Sequence, residues 1–264
     1  MLWIMLACVL TIALMLLLNV RPRGLLLPPS QFHHQHVNGI QHAVYINLAH
    51  RKDRQEAVEE LLRTAKVPFE RFEAVNPRLL PELLDGCWDS SVCPGQVGCQ
   101  LSHLAVLRRA MDAGWDHVAI FEDDFTWQPL VRPDMVQAAI AKAMELVPNW
   151  DVIALSLNIA LEKPLGEELK VQFAPDTWTG LTRIENAQTT GGYIARRSVM
   201  AQIYDAFLPE NCLVKKDYTT SIDQCWKPLQ SKGMWVAFEP QPGTQRRSFS
   251  DIEQREVFYG LTRR

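Results

Sequence analysis

Residues 117–125 read His-Val-Ala-Ile-Phe-Glu-Asp-Asp-Phe, an unbroken apolar run that ends in three adjacent carboxylates. No other stretch restricts the fold so tightly. Val118-Ala119-Ile120-Phe121 is apolar on both faces, which suits a parallel strand buried inside a sheet. The carboxylates then emerge where the strand leaves that sheet. Side chains alternate along a strand, so Glu122 and Asp124 should point one way and Asp123 the other. Three neighbouring negative charges repel one another unless a cation or strong donors offset them. In open α/β sheets, ligand sites form outside the carboxyl ends of strands. The triplet is therefore either a site for a hard cation such as Mg²⁺ or Mn²⁺ or a solvated acidic turn. Two-metal nucleases and phosphatases need a similar cluster.

The rest of the chain supplies strands and helices in alternation, which predicts an α/β domain with a mostly parallel sheet flanked by helices. Strands are expected at 43–48, 67–74, 151–157, 192–195 and 234–238. Helices are expected at 53–66, 100–112, 133–147, 198–207 and 222–231, each with apolar residues at helical spacing. Residues 79–98 read as a loop with fragments of helix. Residues 158–188 are polar and read as a mobile loop beside a substrate.

Met1–Val20 stands apart, because it carries no charged side chain. About 20 apolar residues match what a helix needs to cross a bilayer, so a transmembrane signal anchor is expected at 1–20. A cleaved signal peptide is the alternative, but no Ala-x-Ala pattern precedes Arg21. Residues 21–42, broken by Pro22, Gly24, Pro28, Pro29 and Gly39, read as a stem. Residues 43–264 remain for one domain. With 47% hydrophobic residues, that domain can build an ordinary core. A net charge of -3 gives no basic field, and nucleic acid is excluded as a partner. Five cysteines follow the span. Cys87–Cys93 and Cys212–Cys225 are possible disulfides, with five unpaired thiols as the alternative.

Four further segments carry chemistry. Ile46–Arg54 is a strand end with a polar turn, and Arg51 and Arg54 offer planar forks suited to phosphate or a base edge. Gly98-Cys99-Gln100-Leu101-Ser102-His103 sets Cys99 and His103 on one helical face. They are either a thiol–imidazole pair or a helix start beneath the site. Thr189-Thr190-Gly191-Gly192-Tyr193 combines hydroxyls with glycines that allow close backbone approach to a ligand. Asp223, opening a helix, is either a base or a cap.

In this order the segments resemble glycosyltransferase family 25, which includes lipopolysaccharide and procollagen galactosyltransferases. The shared pattern runs through Ile46–Arg54, Arg71-Phe72-Glu73-Ala74-Val75, Gly98–His103, Ile120–Asp124, Gly192-Tyr193, Asp223 and Ser250-Asp251-Ile252. The resemblance implies a GT-A-like (Rossmann-type) fold and a nucleotide-diphosphate-sugar donor such as UDP-galactose. It also implies a glycan or protein acceptor and inversion at the anomeric carbon. Asp124 and Glu122 would hold Mn²⁺ or Mg²⁺. Arg51, Arg54, Glu122 and Asp123 would contact the nucleotide, and Thr190, Gly191 and Gly192 the donor sugar. Asp223 would be the catalytic base. Family anchoring implies single-pass membrane attachment facing the Golgi or ER lumen, although Arg21 and Arg23 alone would favour the cytosol. Two departures stand out. Gly95-Gln96 replaces a usual Gly-Glu, and no histidine follows His117, so Asp251 or water would complete the metal shell. A degenerate domain that binds sugar or a partner without turnover is the alternative.

Overall fold

The computed structural model describes residues 39–76, 79, 93–209, 211–212, 221–252 and 255–257. Its centre is the buried strand β3 (His117–Glu122), flanked by β1 (Ala43–Asn47) and, beyond that, β2 (Phe69–Glu73). These three are parallel, with Val44 opposite Ile120 and Glu70. On the other side of β3 lies β7 (Thr177–Arg196), antiparallel to it, followed by β5 (Val152–Pro164) and β8 (Trp235–Glu239). The short β6 (Lys170–Ala174) pairs with the start of β7.

The sheet is therefore mixed, not mostly parallel as the sequence suggests. Contacts β3–β7, β5–β7, β6–β7 and β7–β8 are antiparallel, and β5–β8 is parallel. The cause lies in residues 158–188, which the sequence marks as a loop. They extend β5, form β6 and begin β7, so the chain returns through a hairpin instead of a crossover helix. Their apolar residues are hidden from a period-of-two reading by register shifts between Ala154 and Ser156 and again near Leu161.

Helices cover both faces, as expected for α/β proteins. On one face, α1 (Lys52–Thr64) and α3 (Val136–Leu146) bury Val58, Leu62, Ile140 and Met144 against Tyr45, Phe121, Leu155 and Ile194. On the other, α2 (Cys93–Asp112) and α4 (Arg197–Phe207) bury Leu104, Leu107, Val199 and Ile203 against Val44, Ile120, Ala154 and Tyr193. The alternating sides of each strand thus feed two separate cores. Two short helices, α5 (Ile222–Cys225) and α6 (Lys227–Gln230), add the buried Trp226 to the second core. Cys212 and Cys225 are disulfide-bonded. Cys87 and the side chain of Cys93 lie outside the described residues, so the other pairing does too.

Helix α2 begins seven residues earlier than its periodicity predicts. Pro94 and Gly95 look like loop residues, but Pro is tolerated in a first helical turn. Gly95 answers to tertiary contact: a Cβ there would meet the Ile252 Cα at 2.6 Å. The C-terminal segment reaches the domain edge because that position has no side chain. At the other end, residues 39–42 of the expected stem already pack on the domain, with Ile40 buried and bonded to Gln137.

The expected membrane anchoring is corrected. Among the described residues no helix is long and apolar enough to cross a membrane. The apolar helices that do form are short and amphipathic, and their apolar faces are spent on the two cores. The transmembrane helix at 1–20, and with it the single-pass, lumen-facing localisation, is not carried forward. Residues 1–38 themselves lie outside the described residues.

Two short ribbons complete the site region. The first pairs β4 (Phe125–Trp127) with β9 (Gly243–Gln245), and the second pairs β10 (Ser248–Ser250) with β11 (Arg255–Val257).

Candidate active site

The acidic triplet leaves β3 at the carboxyl edge of the sheet, with Glu122 ending the strand and Asp123 and Asp124 in the turn that follows. Glu122 and Asp124 face Gln245, whose single side-chain amide donates to Glu122 Oε2 at 3.1 Å and to Asp124 Oδ1 at 3.2 Å. Asp123 faces the opposite way. It accepts from Asn47 Nδ2 at 2.8 Å and from Arg54 at 2.6 Å. Arg54 also donates to the Ser248 hydroxyl and the Phe249 carbonyl, which ties the β10 ribbon to the triplet. Its guanidinium stands 3.6 Å from Asp124, too far for a hydrogen bond.

The electrostatics follow from this division. Burial and the charge of Glu122 push the Asp124 carboxyl up to about 7. Asp123 is also raised by burial, against the pull of Arg54 and Asn47. Burial acts on Glu122 as well, but His103 and Thr190 outweigh it and hold that carboxyl below its ordinary value. Glu122 is therefore the ionised member, and Asp124 is the member short of positive charge.

These groups line a cleft of about 780 Å³ between the strand edge, the start of α2 and the turn before α5. One wall is β7. The Thr190 hydroxyl donates to Glu122 Oε1 at 2.6 Å. Thr189 has φ +67°, a sparsely populated conformation for a β-branched residue. Asp223 secures it by accepting the Thr189 N–H at 2.9 Å, while the Ser221 hydroxyl donates to the other carboxylate oxygen. The floor is α2. His103 is fully buried and its Nδ1 lies 3.0 Å from the Tyr193 hydroxyl. Cys99 is a free thiol at the cleft surface, pushed up by burial and by the charge of Glu122. A protonated thiol is a poor nucleophile, which disfavours a thiol–imidazole catalytic pair, and both residues lie within α2 and not at its start.

The other expected site residues are distributed as follows. Arg54, Glu122, Asp123, Asp124, Thr190 and Asp223 all line the cleft, whereas Arg51, Gly191 and Gly192 do not. Arg51 is clamped between Asp53 and Asp251, the latter at 2.5 Å. Asp251 lines the cleft but is turned toward Arg51 and His50. The two glycines serve packing. A Cβ on Gly192 would meet the Phe125 ring at 2.8 Å, and one on Gly191 would meet Gln245 Cγ at 2.8 Å. Sequence reasoning missed Gln245, Asn47 and Tyr193 as partners of the site. Gln245 lies in a polar stretch and carries no local signal. Asn47 and Tyr193 stood inside recognised motifs, at strand positions whose contacts only the register reveals.

The donor set fits a hard divalent cation. Two carboxylates, Asp124 buried and Glu122 half-buried, share one amide donor, and Asp124 is held far above its usual ionisation range. Oxygen ligands of this kind suit Mg²⁺ or Mn²⁺.

Residues 40–146 match the family model described as glycosyltransferase family 25 (LPS biosynthesis protein). Relatives carry the same description. A Drosophila melanogaster protein named "Glycosyltransferase 25 family member" is 24% identical over 215 residues, covering 75% of this chain and 34% of its own. One from Drosophila pseudoobscura pseudoobscura with the same name is 28% identical over 127 residues, 43% of this chain and 20% of its own. A Bos taurus relative, also 28% identical over 44% of this chain and 22% of its own, is named "Probable inactive glycosyltransferase 25 family member 3". The family match over residues 40–146 and these relatives support the resemblance to glycosyltransferase family 25. The chain spans about a third or less of the length of the curated relatives it matches. Among solved structures, a glycosyltransferase involved in glycosylation of the major capsid of PBCV-1 aligns with a TM-score of 0.47 and 10% identity, over 81% of this chain and 95% of that one.

Proposed function

We propose that this chain is an active glycosyltransferase that transfers a hexose, galactose by family resemblance, from a nucleotide-diphosphate sugar to a hydroxyl of a glycan or protein, with inversion. One observation carries the reading: Glu122 and Asp124, short of positive charge, line the same cleft as a third carboxylate, Asp223, that is held by other groups. Asp124 and Glu122 would hold Mn²⁺ or Mg²⁺, which when bound supplies positive charge for the departing nucleoside diphosphate. Asp223 takes the proton of the acceptor hydroxyl. Its carboxylate is aimed by the Thr189 N–H and the Ser221 hydroxyl, an arrangement that fixes a base in one orientation. Arg54 brings positive field to the diphosphate while bracing Asp123. Arg51 acts through Asp251, and Gly191 and Gly192 act by letting Gln245 and Phe125 close on β7. Thr190 orients Glu122 and offers a contact to the donor.

The test is incubation of the purified chain with Mn²⁺ and a panel of UDP-sugars, read by product mass. Donor hydrolysis or transfer is expected. Asp124→Asn should lower it about 1,000-fold, the loss of roughly 4 kcal/mol of transition-state stabilisation. Asp223→Asn should lower kcat with little change in donor KM. Unchanged turnover in Asp124→Asn would overturn the metal role. UDP binding without turnover of any donor would favour a non-catalytic sugar-binding domain, the state that the name of the bovine relative describes for that protein.

A further inference from the structure

Beneath the acidic edge, two side chains that the transfer reaction does not use, Cys99 and His103, meet Glu122. The Cys99 sulfur, one His103 ring nitrogen and one Glu122 oxygen all lie within 4.8 Å of one another. We propose that Cys99, His103 and Glu122 form a binding site for a thiophilic divalent cation, Zn²⁺ by preference, distinct from the hard-oxygen site at Asp124.

The imidazole gives the strongest reason. His103 is fully buried, and its Nε2 has no hydrogen-bond partner among the described residues. Leaving such an atom unsatisfied costs about 1–3 kcal/mol. The nitrogen faces Glu122 Oε1 at 3.6 Å, beyond hydrogen-bond length. Donors around a tetrahedral Zn²⁺, with bonds of about 2.0–2.3 Å, lie roughly 3.3–3.8 Å apart. The His103–Glu122 separation already meets that spacing, and the widest separation in the cluster needs to shrink by about 1 Å. The other ring nitrogen, Nδ1, lies 3.0 Å from the Tyr193 hydroxyl, the kind of outer hydrogen bond that orients a metal-bound histidine.

Charge and chemistry agree. Glu122, Asp223 and Asp124 line the same cleft as Cys99, so an entering cation meets carboxylates. Binding a cation would expel the thiol proton, one proton released per ion bound. A sulfur–nitrogen–oxygen set selects a borderline-soft ion over Mg²⁺ or Mn²⁺, which prefer oxygen alone. Cys99 is partly exposed at the cleft, which gives the ion a route in and leaves a fourth position for water. The site does not depend on the transferase reading, although it borrows Glu122 from the edge above.

The experiment uses the full chain stripped of metal and titrated with Co²⁺ as a coloured stand-in for Zn²⁺. A thiolate-to-Co²⁺ charge-transfer band should saturate at one ion per chain. One equivalent of Zn²⁺ should bleach it, and excess Mg²⁺ should not. Cys99→Ser should abolish the band. Cys93→Ser should keep it, and so should Asp124→Asn, which separates this site from the edge above. In the wild-type chain, Zn²⁺ should slow alkylation of Cys99 by iodoacetamide, read by peptide mass. That measurement needs no variant to fold. No band, a band that survives Cys99→Ser, or alkylation indifferent to Zn²⁺ would overturn the proposal.

Discussion

The two sides of the acidic edge are built from the same residue types yet in opposite electrostatic states. On the Asp123 side, a guanidinium and an amide meet the carboxylate, and the guanidinium goes on to bind the β10 ribbon. On the Glu122–Asp124 side, two carboxylates share the amide of Gln245, and only Glu122 accepts a further side-chain hydrogen bond among the described residues, from Thr190. Saturation on the first side makes a joint, and its charge serves the fold. Deficit on the second makes a receptor, because a cation brought there gains attraction that the protein has left unused. Function sits where stability has been withheld.

The largest effect on this contrast should come from the joint. Arg54→Met removes the charged partner of Asp123 and both ties to β10, leaving a nearly buried carboxylate uncompensated. Breaking such a pair from one side costs about 3–5 kcal/mol. Urea unfolding should register that loss. A double variant, Arg54→Met with Asp123→Asn, should recover part of it. A cost under about 1 kcal/mol, or no recovery, would show that the Asp123 side is not a structural joint.

The receptor side predicts the opposite sign. Asp124 titrates near 7 in the metal-free fold against an ordinary value of 3.8. Between those values the folded chain holds a proton that the unfolded chain has lost. Its contribution is therefore fully present below 3.8 and fades as pH rises to about 7. Asp124→Asn removes that dependence. With chelator present, the variant should be more stable than wild type by roughly 1–3 kcal/mol at pH 8, with the gap closing toward pH 5. A gap that is constant with pH would contradict the deficit. This variant would be more stable and inactive, which is the trade expected of a site that stores repulsion.

The sequence made much of this legible. Alternation anticipated the separation of Asp123 from Glu122 and Asp124, although β3 ends at Glu122 and the two aspartates lie in the turn that follows. The helices α1, α3 and α4 were readable from apolar spacing, since each has one face on a core. What failed were features fixed by distant contact. Residues 158–188 looked like a loop because their strands are half solvated and bulged, so no alternation survives. Gly191 and Gly192 looked like ligand contacts, but their space is taken by Gln245 and Phe125, residues 54 and 67 positions away, which no local pattern reveals. The apolar run at 1–20 matched bilayer thickness, a composition signal on residues outside the described fold, where no helix is long and apolar enough to cross a membrane.

The smallest effect tests whether Gln245 stands in for the cation. Its amide nitrogen is the group common to Glu122 and Asp124, and its Cγ fills the space over Gly191. Gln245→Leu keeps the packing and removes the donor. The metal-free chain should lose about 1 kcal/mol, the usual net worth of such hydrogen bonds. The same substitution frees the two oxygens that an incoming ion would otherwise have to take from the amide. Binding of Mn²⁺, measured by calorimetry, should therefore tighten, by up to about fivefold if the whole of that energy is returned. The alternative is that the amide holds the two carboxylates at the spacing the ion needs. Binding would then weaken in the variant, so the sign of one measured change decides whether Gln245 competes with the cation or prepares its site.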